Sequence, residues 1–299
     1  MKKLSFLALI LAISGSIAAQ ENHFLVYSFK GNVSVVENKN ETKVKVGRLL
    51  NENSTLKLTS GAVVTLICNE TAMFTLKKAG SYSLEKLGDS CRVTNNSFSA
   101  NYVKYVWAQM TKTSAAPGSN RKLFMNTVGA VSRSVNNIWI DPRLDTVNYS
   151  GGDFPLSWKS YADAKEFEFS LYQDPANKDP LFKSTVSKLK IPIPQFVSKI
   201  KPGNTYYWTA AVKGEENNEL KVLHYVDKEH FSEVLKGLKE TTGPFENAAE
   251  EAYRVAFLLE DARFLAEAYQ YYTKAATLAP DVPLYRSTLM SFKKDYEIK

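Results

Sequence analysis

Lys43 to Leu87 reads KVKVGRLLNENSTLKLTSGAVVTLICNETAMFTLKKAGSYSLEKL. Strand-length apolar runs alternate here with Asn51-Glu52-Asn53, Ser60-Gly61, Asn69-Glu70 and Ala79-Gly80, residues that supply the positive φ close turns need. Leu56 and Leu58 flank Lys57, Val63 to Ile67 forms a core run, and Phe74 to Leu76 follows, so the spacing predicts a small β module. Upstream, Phe24 to Phe29 and Val33 to Val36 are further strands joined through Lys30-Gly31-Asn32, and Val44 and Val46 alternate with lysines up to Gly47. About seven short strands fit a small barrel or flattened roll. A helix over Ala100 to Met110, with Tyr102, Val103, Val106, Trp107 and Met110 on one face and Ser97 or Ser99 as its cap, is expected to cover an open side of that sheet.

The 299 residues accommodate two or three domains, and 44% hydrophobic with 23% charged residues describes a folded chain. Met1-Lys2-Lys3, the apolar run Leu4 to Ile17 and Ala18-Ala19-Gln20 have the three parts of a secretory signal. Cleavage is expected after Ala19, leaving a periplasmic or secreted protein that does not span a membrane. The run is shorter than the roughly 20 residues a spanning helix needs. Loss of Lys2 and Lys3 lowers the formal charge from +7 to +5. Between Gln20 and Lys112 there are 12 basic and 7 acidic residues, against 7 and 9 from Phe245 to Lys299. The lysines are interspersed with Asn, Glu and Thr, as on solvated strand faces, and no nucleic-acid partner is expected.

Cys68 and Cys91 are the two cysteines, and export places them where disulfides persist. One bridge closing a hairpin and its return strand is the expectation; two unpaired buried thiols are the alternative. A metal pair lacks neighbouring His or Cys to complete a tetrahedral site.

The order G-x-V-x-V at Gly31 to Val35, V-G-R-L-L at Val46 to Leu50, L-x-L-x-S-G-A-V-V-T-L at Leu56 to Leu66 and K-x-A-G-S-Y-S-L at Lys77 to Leu84 resembles the FecR-type periplasmic domain. The likeness covers about residues 24–95. It implies a β fold without catalytic chemistry. The signalling role of that family, which uses a membrane helix and a cytoplasmic arm to reach a sigma factor, has no counterpart in this sequence.

The expected divisions are a signal at 1–19, the β domain with its helix at 20–112, a linker or strap at 113–146 that includes Asn126 to Arg133, a sandwich at 147–226 and a helical tail at 227–299. In the sandwich, Leu156–Trp158, Glu166–Tyr172, Phe182–Val186, Leu189–Ile193, Tyr206–Lys213 and Leu220–Val226 read as strands, with Trp158 packing across from Trp208. The run I-K-P-G-N-T-Y-Y-W-T-A is similar to fibronectin type III and immunoglobulin-like sandwiches. From Asp227 the period becomes helical. Phe231, Val234, Leu235 and Leu238 make one amphipathic helix; Glu246–Leu259 and Ala262–Leu278 make an antiparallel pair; a last helix follows Pro283. Ala256, Ala268, Ala275, Tyr272 and Pro280 fall at the spacing of a tetratricopeptide repeat. The fold class is thus multidomain and mainly β: small barrel or roll, then sandwich, then helices.

Reaction motifs are missing from the sequence. His224 and His230 do not have the spacing of a helix-face metal pair, there is no G-x-S-x-G or G-x-x-x-x-G-K, and Asp163 with Glu166 or Glu250 with Glu251 read as solvated charges. No catalytic residue, metal or cofactor is expected, and the chain is read as a non-enzyme. Tyr102, Tyr105 and Trp107, with Tyr269 and Tyr272 on the repeat, are candidates for a binding surface. The function expected is an exported envelope scaffold or adaptor with a protein partner, or a second copy of itself; the alternative is a sensor reading polysaccharide or a small ligand through its aromatics.

Overall fold

A computed structural model describes residues 22–92, 99–111, 121–124, 137–176, 179–240 and 246–298. The expected signal and its cleavage site, Ser97, residues 112–120 of the linker and the Asn126–Arg133 strap lie outside them. The chain divides into two compact units, one ending at Thr94 and the other beginning at Asn95.

The first unit holds β1 (His23–Lys30), β2 (Val33–Glu37), β3 (Asn40–Lys43), β4 (Leu49–Asn51), β5 (Thr55–Leu58), β6 (Val63–Cys68), β7 (Ala72–Leu76), β8 (Gly80–Ser83) and one helical turn, α1 (Leu84–Leu87). They form two antiparallel sheets, β4-β1-β6-β7 and β3-β2-β5-β8, and no barrel closes. Phe24, Val26, Val64 and Leu66 from one sheet share a buried core with Val33, Val35, Leu56 and Leu58 from the other. Alternate residues of each strand point to one face, so this pattern makes a sandwich. Asn38 and Lys39 (φ 48° and 68°) form a left-handed two-residue turn joining β2 to β3, and Asn69 and Glu70 (φ 45° and 63°) give the three-residue connection from β6 to β7 its left-handed turn. The first of these turns moves a strand from its expected place. The hairpin sets β3 at Asn40–Lys43, and Val44 to Arg48 becomes the crossing between sheets, with Val44 buried and Val46 exposed. Gly31, at φ 78°, turns the chain between sheets beside Ala62, where a Cβ would stand 3.0 Å from the Ala62 Cα.

In the second unit a sandwich is built from β9 (Ile138–Trp139), β10 (Thr146–Tyr149), β11 (Pro155–Ser157), β12 (Lys159–Ser160), β13 (Phe167–Tyr172), β14 (Phe182–Val186), β15 (Lys190–Pro192), β16 (Asn204–Val212) and β17 (Lys221–Tyr225). Its main sheet runs β10-β17-β16-β13-β14, with β11-β15 and β12-β9 as antiparallel pairs. Part of the expected strap joins the sandwich, since β9 pairs with β12, and β10, at the expected start of the sandwich, pairs in parallel with β17. Trp158 and Trp208 both pack on Phe169, with centroids 6.4 and 5.9 Å away. The Tyr206 hydroxyl accepts the Lys201 N–H at 2.7 Å and pins the corner leading into β16.

The helices of this unit are α2 (Ser99–Thr111), α3 (Lys228–Glu240), α4 (Ala248–Asp261), α5 (Leu265–Leu278) and α6 (Pro283–Asp295). Asn247 and Glu250 form a reciprocal capping box at the start of α4. Ala252, Ala256, Ala268 and Ala275 are buried, which lets α4 and α5 approach closely. The helix expected to cover the first-module sheet belongs to this second unit, where Tyr102 and Tyr105 of α2 pack against Phe257 of α4 at 5.6 and 4.9 Å between ring centroids. Among the described residues no helix is long and apolar enough to cross a membrane.

Candidate binding surface

The aromatic candidates do not form a surface. Tyr102, Tyr105, Trp107 and Tyr272 are buried, and half-buried Tyr269 stacks on Phe292 with centroids 6.1 Å apart. The physical reason is volume. Helices whose close contacts are alanines leave space on either side of the alanine stripe, and large rings fill it. The ring hydroxyls then need partners inside. Tyr105, Tyr253 and Thr288 close a triangle of hydroxyls at 3.0, 3.0 and 2.9 Å. Burial raises the phenol pKa of Tyr105 and Tyr253.

A second interior cluster centres on Arg121 and Glu260, both fully buried. Arg121 Nε lies 2.8 Å from Glu260 Oε2, and its Nη1 reaches Ser291 Oγ and Asp295 Oδ2, each at 2.8 Å. Tyr272 and Tyr296 donate to the two Glu260 oxygens at 3.0 and 3.1 Å. The guanidinium also lies 5.1 Å from the centroid of the Phe292 ring. One carboxylate thus ties α4 to α5, α6 and the short Arg121–Phe124 turn.

The expected disulfide is present: Cys68 on β6 is bonded to Cys91, with Cα atoms 5.5 Å apart. The other titratable candidates are dispersed. His224 contacts Thr205 Oγ1 at 2.8 Å on the sheet, while His230 is exposed on the first turn of α3. Glu166 pairs with Lys213 at 2.9 Å, Glu250 belongs to the capping box and Glu251 pairs with Lys239 at 3.3 Å. Among the described residues no three His, Cys, Asp or Glu side chains are grouped as a metal site.

An accessible concave surface lies instead on the first unit, around β3. One hollow of about 820 Å³ is walled by Phe29, Val33, Leu58, Lys43 and Lys57. A second, of about 630 Å³, is formed by Thr42 to Lys43 and Lys45 to Arg48. Thr42 and Lys43 belong to both. The strand they share, β3, is the end strand of its sheet and is exposed along its whole length. Across the sheet one rung reads Lys43, Ser34, Lys57, Ser81. Glu41 sits diagonally to it, bonded to Ser34 Oγ at 2.6 Å and Lys57 Nζ at 2.7 Å, and these two partners hold its carboxyl below the usual range. Arg48 is held in turn by Glu37 at 2.6 Å. Lys43 and Lys45 have no ion pair among the described residues, so the local excess of positive charge faces solvent at the strand edge.

The sequence pointed to this region as a fold, through Gly31, Gly47 and the β2–β5 pattern, and not as a site. The signal that could have located it is the unpaired run of Lys43 and Lys45 beside an Asn-Lys turn. No family model matches the chain, and no curated protein is similar to it.

Proposed function

We propose that this chain is a non-enzymatic exported scaffold or adaptor of the bacterial cell envelope, acting through protein–protein contact. The observation that carries this reading is the open β3 edge with two hollows that meet at Thr42 and Lys43, a surface shaped for contact with an extended partner. The first unit is read as a FecR-type domain on the motifs from Gly31 to Leu84. The sandwich is read as a fibronectin type III or immunoglobulin-like spacer on the Tyr206 corner, and the tail as a tetratricopeptide-like hairpin on its buried alanines. The Cys68 to Cys91 bridge supports an oxidising compartment.

The test is photo-crosslinking in cells that export the chain. A photoreactive residue is placed in turn at Thr42, Tyr161 and Met290. Discrete adducts with a reproducible partner support the reading. Absence of adducts at all three positions, together with a hydrolase activity that survives purification, overturns it.

A further inference from the structure

The β3 edge has a definite hydrogen-bonding register. Val44 donates to the Val33 carbonyl at 3.2 Å, and Val33 and Val44 extend the Ser34 to Lys43 pairing by one step. In an antiparallel ladder, bonded and non-bonded pairs alternate, so Val35 with Thr42 and Glu37 with Asn40 are the bonded pairs. The N–H and C=O groups of Glu41 and Lys43 therefore point away from β2, toward the open side. An incoming extended segment finds two donors and two acceptors at strand spacing.

The surroundings specify what that segment carries. Alternate side chains of an added strand fall on opposite sides of the sheet, and both hollows include Thr42 and Lys43 of β3. Phe29, 38% exposed, offers an apolar wall in the larger hollow, and Val46, 54% exposed, does so in the smaller. Glu41 and Glu37 are occupied by Lys57 and Arg48, whereas Lys43 and Lys45 are not neutralised. The unit as a whole has ten basic and six acidic residues between 22 and 92.

We propose that β3 is a strand-addition site for an extended, acidic segment with alternating apolar residues, supplied by a partner protein. This rests on the contact reading above and names its partner class. A charged end strand normally discourages pairing with a like copy. Here the same lysines select for a segment of opposite charge.

The experiment titrates the full-length chain, by fluorescence anisotropy, into a labelled peptide Thr-Asp-Val-Asp-Val-Asp-Val-Thr, and compares three others: the version with Lys for Asp, one N-methylated at every Val, and one N-methylated at every Asp. Alternate N–H groups of a strand face the same edge, so one N-methyl set blocks pairing and the other spares it. Expected are saturable binding of the acidic peptide and a loss of about ten-fold or more for one N-methyl set, with little change for the other. The Lys version should bind at least about ten-fold more weakly. The Lys43→Glu/Lys45→Glu double variant should lose affinity for the acidic peptide and gain it for the basic one, while Lys86→Glu, outside both hollows, changes neither. An unchanged thermal midpoint shows that the double variant is folded.

Equal binding of both N-methylated peptides overturns strand addition and leaves plain charge attraction. No saturable binding of any peptide overturns it as well. If crosslinks still form at Tyr161 or Met290 in that case, the adaptor reading stands without this site; if none form, both fall.

Discussion

Glu267 on α5 accepts the backbone N–H of Ser150 at 2.6 Å and that of Gly151 at 3.0 Å, so a helix carboxyl closes the turn that follows β10. One step back, Asn148 on β10 donates its side-chain amide to Ala262 O at 2.8 Å and its N–H to Arg263 O at 3.0 Å, where α4 ends. Strand and helical hairpin each satisfy polar groups the other leaves open.

This junction predicts a pH dependence. Burial raises the Glu267 pKa from 4.5 to about 7, against the pull of the backbone N–H groups of Ser150, Gly151 and Glu267 itself. A carboxyl with its folded pKa above its unfolded one contributes stability that is full below pH 4.5 and is lost as pH rises to about 7. The ceiling on that loss is about 3 kcal/mol. Urea unfolding from pH 4.5 to 8 should show the decline in the natural chain, and the Glu267→Gln variant should lack this component. Parallel profiles for the two would refute the assignment.

The Arg121 to Glu260 pair predicts strong coupling. Arg121→Met leaves the Glu260 charge buried without its counter-ion, which typically costs about 3–5 kcal/mol, whereas Glu260→Gln leaves Arg121 its ion pair with Asp295. Arg121→Met should destabilise the second unit on that scale in denaturant titrations, and Glu260→Gln by less, since Asp295 still faces the guanidinium. The double variant should cost clearly less than the two losses added. Additive losses would mean that the pair is not a unit.

Much of this fold is legible in the sequence because its signals are local. The sandwich strands around Phe167, Phe169, Trp208 and Leu223, and the end of α5 before Pro280, follow from periodicity and turn chemistry alone. β3 and β10 were not legible in that way. Asn40-Glu41-Thr42-Lys43 has no apolar residue, and its strand state comes from the left-handed Asn38-Lys39 turn that folds it onto β2. β10 is a strand through parallel pairing with β17, more than seventy residues away. The candidate site was less legible still. Periodicity identifies an aromatic face, but not whether another helix covers it, and Tyr102 and Tyr105 are covered by Tyr253 and Phe257. An open strand edge is a property of sheet order, which no single segment encodes.

The disulfide predicts a specific loss. The bridge spans 23 residues, and closing a loop of that length restricts the unfolded chain by about 3 kcal/mol. The Thr71 hydroxyl also contacts the carbonyl oxygens of both Cys68 and Cys91, each at 3.1 Å, so the bridged segment is braced. The Cys68→Ser/Cys91→Ser variant should unfold at lower urea by that amount. Reductant should produce the same shift in the natural chain and none in the variant. Mass spectrometry without reductant should recover the two cysteines in one linked peptide.

Two turn substitutions should move stability in opposite directions. Gly31 has φ of 78°, and an added Cβ would meet the Ala62 backbone at 3.0 Å, so Gly31→Ala brings both left-handed strain and a clash. A loss of about 2 kcal/mol or more is expected. Lys39 holds φ of 68° with a full side chain, in a turn whose Asn38 already suits the first position. Lys39→Gly completes the Asn-Gly pair preferred by this turn, and relief of the strain should outweigh the added unfolded-state entropy by about 0.5 kcal/mol. Urea unfolding of the two variants beside the natural chain measures both changes. Stabilisation by Gly31→Ala, or a marked loss from Lys39→Gly, would show that these residues do not fix the turns as described.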